Sequence, residues 1–205
     1  MAPPATVYED ANSGDQYVLE PRGRQVYAKL PSGEVVALDA IPAQRGDTYL
    51  RNDAGIDLFK LTEGGGLVSY VGNTNGAPAA VTGSAPALSA PPVPASLDNR
   101  RRAVAAALSK LAGQEVTIFL GELNGYQAWA AEALDIAVLG VQEASGPAGR
   151  GATKLKSVRM VRAKAADVTF KDGELVLSVN PDEGYNGRPS SDAIAKAITQ
   201  ARSTG

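Results

Sequence analysis

Hydrophobic and polar positions along the first third of the chain alternate with a period of two. In "RQVYAKLPSGEVVALD", Val26, Ala28 and Leu30 fall on one side of a strand and Tyr27 and Lys29 on the other; Pro31-Ser32-Gly33 then offers a turn, and Val36 and Leu38 resume the same row. "TYLRNDAGIDLFKL" repeats the device, with Asn52 to Gly55 as the turn, and "EGGG" separates it from a last run, "LVSYV". Turn residues recur about every ten positions, the spacing of small antiparallel folds. The pattern predicts six or seven short antiparallel strands within residues 1–72, closed into a barrel or stacked as a sandwich.

From residue 97 the period lengthens. "SLDNRRRAVAAALSKLAGQ" begins with a capping Ser or Asp, spaces Leu97, Val104, Leu108 and Leu111 as one helical face, and stops at a glycine near 113. "VTIFLGE" reads as a short buried strand, and residues 126–144 as a helix apolar over much of its circumference. "SVRMVRAKA" is a further strand. In "DVTFKDGELVLSV", a turn at Asp172-Gly173 pairs Lys171 with Glu174, Phe170 with Leu175 and Val168 with Leu177, so charge and packing agree on one register. "SSDAIAKAITQAR" closes the chain as a helix with Ile194 and Ile198 on one face, which should share a core with Phe170, Leu175 and Leu177. This order predicts an α+β domain over 97–205, with helices on a mostly antiparallel sheet, and an α+β protein overall.

Residues 73–96, "NTNGAPAAVTGSAPALSAPPVPAS", carry no charge and are built from small residues and proline, so they read as a flexible linker. The organisation predicted is a β domain at 1–72, a linker at 73–96 and an α+β domain at 97–205.

Composition narrows the chemistry. The 205 residues contain no cysteine and no histidine, which removes disulfides, thiolate nucleophiles, histidine general bases and the usual zinc ligands. No metal site and no cofactor are expected. Catalysis would need carboxylates or a lysine. A net charge of -2 gives no overall attraction to nucleic acid, and no window approaches the roughly 20 apolar residues of a membrane-spanning helix. "MAPPATVYED" has neither the charged start nor the apolar stretch of a signal peptide; a short Ala/Pro opening after a lone methionine is what remains once a leader has been replaced. A periplasmic or secreted location is the expectation, although a cytoplasmic protein fits the same composition.

Few segments suggest a site. "SGPAGRGATK" has the glycines of a phosphate cradle, but the lysine and hydroxyl stand in the wrong order and a strand follows, so a helix-to-strand loop is the reading. Arg150, Lys154, Lys156, Arg159, Arg162 and Lys164 concentrate positive charge, giving +2 over 97–205 (14 basic, 12 acidic) against -4 over 1–72 (6 basic, 10 acidic). Without interleaved aromatics this reads as a solvated strand face. Arg45-Gly46-Asp47 precedes a strand and reads as a turn. Trp129 and Tyr126 lie one turn apart on the apolar helix and read as core. Glu122, after the strand "VTIFLG", could pair with Asp182 or Glu183 as acid and base; these three are the catalytic candidates. In "NPDEGYNGRPSS", every residue has a turn or capping role except Tyr185, Asn186 and Arg188, the predicted binding residues of an exposed recognition loop.

"GDTYLRNDAGIDLFKLTEGGGLVSYVG", followed by "GAPAA" and later by "GRPSS", resembles a family of exported bacterial proteins of unknown function. That resemblance spans both domains and implies no activity. The strands running into glycine turns are also similar in shape to small β-domain lysozyme inhibitors, whose cysteine pair is missing here. The expectation is a non-enzymatic envelope protein that binds a protein or glycan partner, as inhibitor or adaptor; the alternative is a carboxylate-dependent glycan hydrolase using Glu122 and Asp182.

Overall fold

The structure is a computed structural model that describes residues 5–121, 125–146 and 154–203. The chain divides into two compact units between Ser89 and Ala90.

The first unit is a closed antiparallel barrel of eight strands: β1 (Ala5–Asp10), β2 (Gln16–Arg22), β3 (Gln25–Lys29), β4 (Val35–Pro42), β5 (Thr48–Arg51), β6 (Asp57–Leu61), β7 (Leu67–Ser69) and β8 (Ala77–Ala85). The inward row read from the sequence is observed: Val26 faces Leu38 and Ala28 faces Val36 across β3 and β4. These residues join Tyr17, Leu19, Leu50, Phe59 and Leu67 in the barrel core, where the Tyr17 and Phe59 rings meet edge to face at 5.1 Å. Three hairpin turns share one geometry. At Leu30–Glu34, Asn52–Ile56 and Thr62–Gly66 the first N–H donates to the fifth carbonyl and the fourth N–H donates to the first carbonyl. The fourth residue is Gly33, Gly55 or Gly65, at φ 89°, 80° and 81°, a conformation that suits glycine alone.

Residues 77–85, read from composition as linker, form β8. This strand pairs with both β1 and β7 and closes the barrel. Small uncharged residues carry a weak strand propensity, but here backbone pairing decides the conformation, with β7 over Ala77–Ala79 and with β1 over Ala79–Ala85. Past β8 the chain is still tied down: the buried Glu20 carboxylate accepts from the Leu88 N–H at 2.5 Å and from Arg22 Nε at 2.6 Å, while Arg22 Nη2 donates to the Leu88 carbonyl at 3.0 Å. The Arg-Gly-Asp tripeptide lies in a turn with Arg45 at φ 59°, and the Asp47 carboxylate holds Lys60 at 3.3 Å.

The second unit runs α1 (Leu97–Ala112), β9 (Thr117–Leu120), α2 (Gln127–Ser145), β10 (Ser157–Arg162), β11 (Asp167–Lys171), β12 (Glu174–Val179) and α3 (Ser191–Ser203). The Ser96 hydroxyl caps α1 by accepting from the Asn99 N–H, and Gly113 ends it at φ 68°. The hairpin β11–β12 has the register that charge and packing predict. The sheet order is β11-β12-β10-β9. β10 lies parallel to both β9 and β12, so the sheet is mixed, and two of its three neighbouring pairs are parallel rather than antiparallel. Local alternation reveals hairpins, whereas the insertion of β12 between β10 and β11 is a long-range pairing that no local pattern records. The α2 crossover is what permits β9 and β10 to run parallel.

One sheet face is covered. Ile118, Val158, Met160, Leu175, Leu177 and Val179 pack with Leu108, Leu134, Val141, Ile194 and Ile198, and the half-buried Phe170 and Val168 pack against that core. The other face carries Arg159, Val176, Ser178 and an exposed Phe119, so β9 is a half-covered edge strand and not the buried one predicted. At Gly140, α2 and α3 touch so closely that a Cβ would stand 2.6 Å from Ile194 Cβ.

Candidate functional site

The segment between β12 and α3 is a wound 3-10 stretch, Pro181–Gly187, kinked at Gly184. Asn180 ties both ends of it. Its N–H donates to the Gly187 carbonyl at 2.6 Å, its side-chain oxygen accepts from the Asp182 N–H, and its Nδ2 donates to the Lys164 carbonyl at 2.8 Å. A Cβ at Gly187 would fall 1.8 Å from the Asn180 carbonyl oxygen, so only glycine permits this closure.

Two of the three predicted binding residues point inward. Tyr185 is buried, its ring edge-on to Trp129 at 5.1 Å, and Arg188 is 3% exposed. Arg188 Nη2 donates to Glu132 at 2.9 Å, Nη1 donates to the Pro189 carbonyl, and the guanidinium lies over the Tyr185 ring at 5.6 Å. Of the predicted trio only Asn186 is exposed. The loop was expected to present Arg188 to solvent; instead α2 supplies a carboxylate at Glu132, and a paired arginine can be enclosed where an unpaired one cannot. Ser190 caps α3 by accepting from the Ala193 N–H, and the Ser191 hydroxyl donates to Glu143.

The exposed side of the same segment forms a cleft. Strands β9, β10 and β12 are parallel, so their carboxyl ends lie on one edge of the sheet, the edge at which parallel sheets place ligands. Arg162 ends β10, Asn180 follows β12, and Tyr126 opens α2 after β9. Arg162 Nη2 donates to the Tyr126 hydroxyl at 2.9 Å and to Asp182 Oδ2 at 3.1 Å; the Tyr126 hydroxyl donates to Asp182 Oδ1 at 3.2 Å; and the guanidinium lies 4.5 Å over the Tyr126 ring. Arg162, Ala163, Lys164, Asn180 and Asp182 line a space of about 400 Å³. In the sequence Arg162 and Lys164 belong to a basic run and Tyr126 to an apolar helix read as core, and no local pattern brings them together. The available signal was Arg162 itself, a charged residue at the end of the inward row Val158, Met160.

Of the catalytic candidates, Asp182 sits in this cleft with both carboxylate oxygens engaged, Glu183 is exposed beside it, and Glu122 lies outside the described residues, as do residues 147–153 of the glycine-rich loop. A second groove, of about 470 Å³, lies between Pro91, Pro92 and Pro94 and the helices α1 and α2. Its walls are mostly proline and alanine, and its charges are committed, Arg100 to Asp135 and Glu132 to Arg188. Among the described residues no group of three carboxylates converges as a metal site, and no helix is long and apolar enough to cross a membrane.

No curated protein and no solved structure matches this chain. A family profile matches residues 1–198, nearly the whole chain, and on that match the chain belongs to the family described as "Domain of unknown function (DUF4908)".

Proposed function

We propose that this chain is a non-enzymatic binding protein of the bacterial cell envelope, acting as an inhibitor or adaptor, and that its second unit takes a protein or glycan partner at the carboxyl edge of the sheet. The observation that carries this reading is the convergence of Tyr126 from the start of α2, Arg162 from the end of β10 and Asp182 from the segment after β12 onto one polar cleft. The base of the cleft is tied down: Asn180 closes the loop, and the buried pair Arg188–Glu132 holds it to α2. Such support with an exposed polar rim favours recognition, because little side-chain entropy is lost on binding. Asp182 is held by two donors and so serves as a fixed acceptor. Binding therefore moves from the predicted Tyr185 and Arg188, which support the loop, to the residues that line the cleft.

The test is a capture experiment on an envelope fraction with the wild-type chain and the variants Arg162→Ala and Asp182→Ala. A partner retained by the wild type and lost with both variants is the expected result. Equal capture by all three would move the binding surface elsewhere, and release of soluble sugars from a captured glycan would favour the hydrolase. Fractionation of the native host tests the envelope placement.

A further inference from the structure

Resting on that binding reading, we infer that the group seated in the cleft is an acidic sugar, with its carboxylate on Arg162 and Lys164 and its hydroxyls on Asp182 and Asn180. The lining holds two cations and one carboxylate. Among the described residues, Arg162 spends only Nη2, on Tyr126 and Asp182, and nothing engages its Nε or Nη1 or the Lys164 ammonium. With Nη2 spent, Nε and Nη1 each offer a single charge-assisted bond to a carboxylate oxygen, and the Lys164 ammonium can take the other.

A bare anion would not suit this lining, because the Asp182 carboxylate faces the same space and repels it. Each Asp182 oxygen accepts one hydrogen bond and has capacity for another. Acceptors beside cations fit a ligand that brings hydroxyl donors and a negative charge together. Among the described residues that line it only Ala163 is apolar, which favours a polar occupant, and 400 Å³ lies at the small end of ligand sites.

The experiment is an amide NMR titration of the full chain with glucuronate, glucose, inorganic phosphate and an N-acetylated acidic dipeptide. Glucuronate is expected to shift the amides of Arg162, Lys164 and Asp182 saturably, with glucose and phosphate at least about tenfold weaker. Arg162→Ala should weaken glucuronate about tenfold or more, with Arg162→Lys between. Asp182→Asn should improve phosphate and narrow its gap to glucuronate. Phosphate or the dipeptide binding as well as glucuronate, glucuronate indifferent to Arg162→Ala, or no shift at all would overturn the inference. If glucuronate fails while envelope capture still depends on Arg162, the acidic-sugar inference falls and the binding reading stands; if that dependence is also absent, both fall.

Discussion

Arg188 and Glu132 form an ion pair at 2.9 Å in which the arginine side chain is only 1% exposed and the glutamate 19%. The sequence places Arg188 on an exposed loop and Phe170 in a core, whereas the arginine is enclosed and the phenylalanine only half-buried, which reverses the order of cost expected for their truncation. Removing the arginine strands Glu132 and unseats Tyr185 and Trp129, so Arg188→Ala should cost about 3 to 5 kcal/mol. Phe170 is only half-buried, so its truncation should cost about 2 kcal/mol, less than that of a fully enclosed aromatic. Paired replacement, Arg188→Met with Glu132→Leu, should recover much of the loss. Denaturant melts of the four proteins decide it; an Arg188→Ala variant as stable as wild type would remove the pair from the account.

The loop and the helix contact each depend on a missing side chain. Gly187→Ala sets a methyl group against the Asn180 carbonyl, and Gly140→Ala sets one against Ile194 and the Ser191 carbonyl. Overpacking of this kind costs about 1 to 3 kcal/mol, and more where backbone must move, as at Gly187. Gly83→Ala meets open space and should be nearly neutral. A thermal melt in which Gly187→Ala matches Gly83→Ala would show that the loop relaxes freely.

What was legible in the sequence follows from the range of each interaction. The Asp172-Gly173 hairpin, the Ser96 cap and the glycine turns of the barrel are set by neighbours within a few residues, and each is found as read. The parallel pairing of β10 with β12 and the closure by β8 are set by distant partners, and composition pointed away from them. The site was half legible. The segment 180–191 does carry the interesting side chains, but whether Arg188 points in or out depends on Glu132, 56 positions away.

The closure by β8 predicts where the first unit ends. Without residues 77–85, β1 and β7 would each present an unpaired edge, so a fragment of residues 5–72 should stay unfolded, while one of residues 5–89 should give a dispersed amide spectrum. For the same reason limited proteolysis should spare 77–88, where β8 is paired with β7 over 77–79 and with β1 over 79–85 and Leu88 is held by Glu20 and Arg22, and should cut within 89–96. Early cleavage inside 77–85, or a folded 5–72 fragment, would mean that β8 is dispensable.

The barrel core also contains a phenol that it does not satisfy. Tyr17 is fully buried, and among the described residues no well-formed hydrogen bond reaches its hydroxyl, although the Ser69 side chain is close enough to act on its ionisation. Burial raises the Tyr17 pKa above its ordinary value of about 10; Ser69 opposes the shift, and the Asp10 and Asp15 charges add to it. The native state therefore favours the neutral phenol. A group whose pKa is raised by folding leaves stability intact below its unfolded value, about 10, and removes it as pH rises through the folded value. Tyr17→Phe keeps the edge-on contact with Phe59 and deletes the lone hydroxyl, so at neutral pH it should be neutral or stabilising by up to about 1 kcal/mol. Above pH about 10 the variant should hold its melting temperature better than wild type; Tyr70, whose pKa burial also raises, stays in both proteins and drops out of the comparison. Parallel melts between neutral and alkaline pH measure this directly, and equal alkaline losses, or a Tyr17→Phe protein that is markedly weaker at neutral pH, would mean that the hydroxyl has a partner in the barrel after all.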